Sequence, residues 1–125
     1  MQALASQSSR AFAMNDQNQV VGILLGDGVT TPPNAFIWNE IDGLQLLPPN
    51  MGLPRGINND GLVVDSRGNI WDPINGVQSL EELLSPTSEW QIESLFAIND
   101  AGHIVGYGRF EGELRGFLMA PEPEP

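Results

Sequence analysis

Short runs of β-forming and apolar residues alternate along the chain with clusters of Asn, Asp and Gly, the pattern of short strands joined by tight turns. Leu95 to Ile98 leads into Asn99-Asp100-Ala101-Gly102, and His103 to Tyr107 returns as a strand. Asn and Asp hold turns through their side-chain oxygens, and glycine supplies the positive φ that such loops need. The same hairpin is predicted through Asp16-Gln17-Asn18 and through Asn59-Asp60-Gly61, with Asn18 at the glycine position, because Asn tolerates left-handed φ better than other non-glycine residues. A second hairpin follows each. It is predicted from Val20 to Leu25 and Ala35 to Trp38, from Leu62 to Val64 and Asn69 to Trp71, and from Ile104 to Arg109 and Leu114 to Met119. Turns at Asn39 to Gly43 and at Asp72 to Gly76 lead to a last short strand.

These elements recur in order. Met14 to Gly22 (MNDQNQVVG), Ile57 to Asp65 (INNDGLVVD) and Ile98 to Gly106 (INDAGHIVG) align without gaps, at spacings of 43 and 41 residues. A second signature follows each of them: NAFIW at Asn34 to Trp38, RGNIW at Arg67 to Trp71 and RGFLM at Arg115 to Met119. A third appears twice, as DGLQLL at Asp42 to Leu47 and NGVQSL at Asn75 to Leu80. Ordered matches at a nearly constant period are the mark of a repeat protein. The units span about 11–53, 54–93 and 94–120 in a single domain, with 1–10 a flexible start and 121–125 (PEPEP) an extended tail. Each full unit makes four short strands, the size of one propeller blade. The expected fold is therefore all-β, three consecutive four-stranded, blade-like units in a propeller-like or partial-propeller arrangement. One stretch departs from the strand pattern: Ser79 to Leu84 (SLEELL) has Ser79 three residues before Glu82, a capping box, and predicts one short helical turn that Pro86 ends.

The order apolar-Asn-Asp-x-Gly-x-Val/Ile-Val-Gly, then His/Arg-Ala-Phe-Leu-Trp, then Gly-x-x-x-Leu resembles the HAF repeat, a family of bacterial and often exported proteins with β-propeller-like architecture. Ile98 to Gly106 is the nearest match, followed by Asn34 to Trp38, where Asn34 stands at the family's histidine position. Arg115 and Gly116 stand at the histidine and alanine positions of the last copy. The ending RGFLMAP and the PEP after it are similar to the end of family members that carry a C-terminal sorting signal. The resemblance covers roughly residues 11–121. It implies a secreted or cell-surface protein, and it brings no catalytic residues.

Composition narrows the partners. The chain has 16 acidic residues against 5 arginines and no lysine, a net charge of −11, and that field repels nucleic acid and anionic lipid. No window approaches the 18 apolar residues of a membrane span, and no signal-peptide pattern is visible at the start. There is no cysteine, so disulfides and thiolate metal sites are excluded. The 14 glycines and 10 prolines fit many turns, and 41% hydrophobic residues suffice for a core.

Candidate chemistry is thin. Asp16, Asp60 and Asp100 recur beside Asn15, Asn58 and Asn99, and oxygen-rich loops suit calcium. Each turn offers two or three oxygens, fewer than a dedicated calcium loop. Asn and Asp satisfying local backbone N–H groups is the favoured reading, with a weak calcium site at Asp16, Asp60 and Asp100 the alternative. His103 is the sole histidine and suits a surface or packing role. Glu81/Glu82 and Glu111/Glu113 are paired carboxylates in predicted surface turns, poor settings for raising a general acid's pKa. Trp38 and Trp71 occupy matching positions and pack between units, or else serve with Tyr107 as an aromatic platform for a ligand. Known propellers close with four or more blades, so a three-unit chain is expected to self-associate as a homodimer or to belong to a longer array. The function expected is a non-enzymatic structural or binding module. The alternative is an acidic-residue hydrolase or lyase with its site at the centre of an oligomer.

Overall fold

The structure, a computed structural model, describes residues 1–27 and 32–121; the expected tail beyond Pro121 lies outside them, as does part of the loop between Gly26 and Asn34. The fold is all-β and built from three antiparallel sheets. The first holds β1 (Ser9–Met14), β2 (Val20–Leu24), β3 (Asn34–Asn39) and β4 (Gly43–Leu46), and the second holds β5 (Pro54–Ile57), β6 (Val63–Asp65), β7 (Asn69–Asp72) and β8 (Gly76–Ser79). The third holds β9 (Trp90–Ile98), β10 (Ile104–Phe110) and β11 (Glu113–Met119). Within each sheet, neighbours in sequence are neighbours in space, the meander that short hairpin turns dictate.

The sheets stack in sequence. β5 packs against β1 and β2, and β9 packs against β5 and β6. The second sheet is therefore buried on both faces, and two cores result. Between the first two sheets lie Val21, Ala35, Ile37, Leu47, Met51, Ile57 and Val63, with Ala13, Trp71 and Val77 against them. Between the second and third lie Val64, Ile70, Leu80, Leu95 and Ile104, with Ile92, Ile98, Phe117 and Met119. Strand alternation makes this sharing possible: Val63 faces back to the first sheet and its neighbour Val64 faces on to the third. No closed barrel or propeller forms among the described residues, because the first and third sheets do not pack on each other.

Each first strand carries a β-bulge at the same place. The register slips between Ala11 and Ala13, between Pro54 and Gly56, and opposite Val105 and Gly106. The extra residues are Phe12, Arg55 and Phe96, all exposed. The Arg55 guanidinium lies 5.3 Å from the Phe96 ring centre, a cation–π contact between the second and third sheets.

Four details differ from the sequence reading. The third sheet has three strands among the described residues where a four-stranded unit is expected, because nothing pairs with the outer edge of β11. β1 begins at Ser9, inside the segment expected to be a flexible end, because Leu25 N–H donates to Ser8 C=O and prolongs the β1–β2 ladder. β9 begins at Trp90, ahead of the unit boundary placed at 94, because it runs as the full-length partner of β10. The helical turn is present as a 3-10 turn, Glu81–Leu83, but the capping box is not formed. Leu80, fully buried, holds its N–H on the Gly68 carbonyl at 2.9 Å and keeps Ser79 in the strand.

Candidate functional site

One five-residue turn is used four times. Asn15, Asn58, Asp65 and Asn99 each stand at its first position, and Asn18, Gly61, Gly68 and Gly102 at its fourth have φ of 60°, 82°, 80° and 84°. The Oδ1 of the first residue accepts from backbone N–H groups inside the loop. Asn15 accepts from Gln17 and Gln19, Asn58 from Asp60 and Leu62, and Asp65 from Arg67 and Asn69, all within 3.0 Å. Asn99 accepts from His103 at 2.9 Å. An oxygen on a short side chain satisfies donors that a loop this tight leaves without a strand partner.

Three of these turns lie side by side at one end of the stack and are joined by a ladder. Asn15 Nδ2 donates to the Asn58 carbonyl at 3.0 Å, and Asn58 Nδ2 donates to the Asn99 carbonyl at 3.1 Å. One residue on, Asp16 N–H donates to Asn59 Oδ1 at 2.9 Å and Asn59 N–H donates to Asp100 Oδ1 at 2.8 Å. The Asn59 amide then donates to Asp16 Oδ2 at 3.0 Å and to Asp100 Oδ2 at 2.9 Å. A neutral amide thus stands between two carboxylates and separates their charge. The rungs join residues 43 and 41 positions apart, the spacings seen in the sequence.

Of the three aspartates suggested for calcium, Asp16 and Asp100 meet on Asn59 and Asp60 does not join them. The residue aligned with Asp16 and Asp100 is Asn59, and Asp60 is spent on the next turn position, donating its N–H to Asn58 Oδ1 at 3.0 Å. Asp60, Asp72 and Asp100 line a shallow groove of about 400 Å³ beside Pro73 and Pro121, yet among the described residues no three His, Cys, Asp or Glu side chains are placed to hold a metal ion. Trp71 is half-buried against the first core, so its indole packs between sheets. Trp38 is half-buried on the outward side of the first sheet. Tyr107 lies with its ring centre 5.6 Å from that of Phe96, on the third sheet. The three aromatic candidates therefore stand on three different sheets. His103 serves through its backbone.

One member of each acidic pair is engaged within the fold. Glu81 Oε1 accepts from Ile92 N–H at 2.7 Å, tying the 3-10 turn to β9. Glu113 pairs with Arg115 at 2.7 Å and Glu93 with Arg109 at 3.1 Å, both exposed. Glu111 has φ of 53° and Gly112 φ of 82°, the two left-handed residues of a tight hairpin loop.

Sequence reasoning missed Asp65. It is fully buried, and besides its two turn bonds its Oδ2 accepts from Gly52 N–H at 2.8 Å and Asn69 Nδ2 at 3.2 Å. The aligned positions in the other sheets are Gly22 and Gly106, paired across the sheet with Phe36 and Phe117. Those rings lie over the glycines, where an added Cβ would stand 2.8 and 3.1 Å from the ring tips. In the second sheet a hydrogen-bonded Asp–Asn pair replaces the Gly–Phe pair. The signal is in the sequence: Asp65-Ser66-Arg67-Gly68 has the Asn/Asp-x-x-Gly form of the turns at Asn58 and Asn99.

A second turn type joins β3 to β4 and β7 to β8. Asn39 Oδ1 accepts from Ile41 and Asp42 N–H, and Asp72 Oδ1 from Ile74 and Asn75 N–H, ahead of Gly43 and Gly76 with φ of 72° and 71°. The Asn75 backbone N–H and side-chain amide, with a smaller share from Ile74 N–H, hold the Asp72 carboxyl below its ordinary pKa against a slight opposing effect of burial. A carboxyl depressed in the folded state gives stability that is present above its unfolded pKa and is lost as pH falls through the folded one. The effect is small, because solvent screens so exposed a group. In a carboxyl-carbon NMR titration Asp72 should show a midpoint below the ordinary aspartate value, moving up toward that value when Asn75→Ala removes the side-chain donor. An Asp72 midpoint unchanged by N75A would contradict this account.

No helix among the described residues is long and apolar enough to cross a membrane. No protein-family model, no curated protein and no solved structure matches the chain.

Proposed function

We propose that the chain is a non-catalytic β-repeat module: three blade-like units of a partial propeller, with a structural or binding role in an exported or cell-surface protein. The repeat reading is supported by the ladder rungs at offsets of 43 and 41 residues and by the common bulge of the three first strands. Export rests on the resemblance to HAF repeats alone.

The observation that carries the non-catalytic reading is how the polar groups are used. Asn15, Asn58 and Asp65, buried polar side chains of the described residues, are bonded to turn backbone and to neighbouring sheets. No buried side-chain nitrogen or oxygen among the described residues lacks a partner. A general acid or base needs a group poised toward a substrate, and these groups are poised toward the chain itself. Glu81 and Glu113, from the paired carboxylates of the hydrolase reading, are likewise engaged within the fold.

The test is incubation of the purified protein with a panel of neutral and acidic polysaccharides, reading new reducing ends and unsaturated products. No release above buffer is expected. Release that disappears in Glu82→Gln or Glu111→Gln protein would overturn the reading.

A further inference from the structure

The two outer faces of the stack expose the residues that its interior junctions bury. On the side of each sheet that faces the next one, Val21 and Val64 are 0% exposed, but the aligned Val105 is 40% exposed. Ile37 and Ile70 are 8% and 9% exposed, whereas the aligned Leu118 is 68% exposed. On the side that faces the preceding sheet, Ile57 is 6% exposed and the aligned Met14 59%. Val63 and Ile104 are buried, and the aligned Val20 is only half so.

The ladder stops at the same two places. Asn15 and Asn58 are buried and each donates its amide to the next turn's carbonyl, while Asn99 is exposed and its Nδ2 has no such partner among the described residues. At the other end, the Asn15 carbonyl accepts the in-turn N–H of Asn18 at 3.2 Å. The Asn58 and Asn99 carbonyls accept the same in-turn bond, from Gly61 and Gly102, and take the ladder amide as well. The Asn15 carbonyl thus has the local geometry of an acceptor for one more rung. The third sheet ends as a donor and the first sheet begins as an acceptor.

We infer that a second copy of this chain docks head to tail on these faces, and that two copies close a six-unit ring. This deepens the repeat-module reading and rests on it. In each junction Val105 and Leu118 of one copy cover Met14, Val20 and Trp38 of the other, and Asn99 Nδ2 donates to the Asn15 carbonyl. The contact is heterologous, since different surfaces meet, and a two-fold axis makes both junctions equivalent. Six units lie within the four to eight blades of known propellers. The occupant is a second copy because the exposed positions of β10 and β11 and of β1, β2 and β3 are apolar at the places buried twice within the chain, although the third sheet has no counterpart of Leu47 and Leu80. One rung differs: Asp100 meets the partner's Asp16 with no Asn59 equivalent between them. Together with a charge of −11 on each copy, this makes the association stronger at high salt.

The experiment is absolute mass by light scattering during size-exclusion chromatography, at low and at roughly half-molar salt. The expected mass is twice 13.6 kDa, more fully populated at high salt. Leu118→Glu and Met14→Glu lie on exposed side chains and should leave the monomer fold intact by circular dichroism. Each should weaken association by about a hundredfold or more, as a buried charge does at the centre of an interface. An equimolar mixture of L118E and M14E should recover a dimer with one sound junction, which neither variant forms alone. A monomer at all concentrations, a dimer that neither substitution affects, or a mass above two copies would each overturn the ring. None of these outcomes bears on the absence of catalysis, which the polysaccharide panel reads separately.

Discussion

Asp65→Ala should lower the stability of the domain by about 4 kcal/mol, close to the full stability of a small domain. The carboxylate is fully buried and accepts four hydrogen bonds, from the backbone N–H groups of Gly52, Arg67 and Asn69 and from the Asn69 amide. Alanine leaves all four donors without an acceptor in a space that excludes most water, and each such donor costs about 1–3 kcal/mol, partly relieved by relaxation. Asp65→Asn should cost about half as much, because Oδ1 can still take the two turn donors while its Nδ2 opposes the donors of Gly52 and Asn69. Urea unfolding followed by tryptophan fluorescence reads both. Equal losses for the two variants would show that the volume of the side chain matters and its oxygens do not.

Gly106→Ala, a single added methyl group, should cost about 3 kcal/mol or more, the upper range for overpacking. At Gly106 the new Cβ would collide with the Ser94 carbonyl oxygen and stand 3.0 Å from Leu95 Cα. Both are backbone atoms that cannot step aside without breaking the β9–β10 ladder. Gly22 has the same relation to Arg10 and Ala11. Gly43→Ala is the control. Its Cβ would meet nothing within 4 Å, and only its φ of +72° resists the change, so the cost is about 1–2 kcal/mol. The order of unfolding midpoints should be parent, then G43A, then G106A. A G106A protein as stable as G43A would remove close backbone packing as the reason for glycine at this position.

Both sites bear on what the stack needs. In the first and third sheets the bulge of the first strand brings a carbonyl over the facing residue of the second strand, and only glycine fits beneath it. In the second sheet the β6–β7 connection is three residues long, and the side chain at this position is used to close the turn instead.

The sequence determined the strands, their order and their hairpins, because turn chemistry and alternation act over a few residues. Asn15, Asn58 and Asn99 were recognisable as turn residues from their own neighbourhoods, and the apolar residues after them as strands. The all-β arrangement followed, although the third sheet has three strands among the described residues and not the four expected. What the tertiary structure decided concerns contacts between residues about 40 positions apart. Asn58 is buried and Asn99 exposed although their local sequences agree, since only Asn58 has a following turn to cover it. Asp60 reads as the metal-like partner of Asp16 and Asp100 until the register of the turns places Asn59 between them. Trp38 and Trp71 carry the same local signature, yet a neighbouring sheet lies against Trp71 while Trp38 faces outward. Ser79 fits a capping box, but burial of Leu80 beside it holds the chain in the strand and leaves the cap unformed. Local sequence sets which elements form. Burial and register, which depend on what stacks against each face, set which of them are free to act.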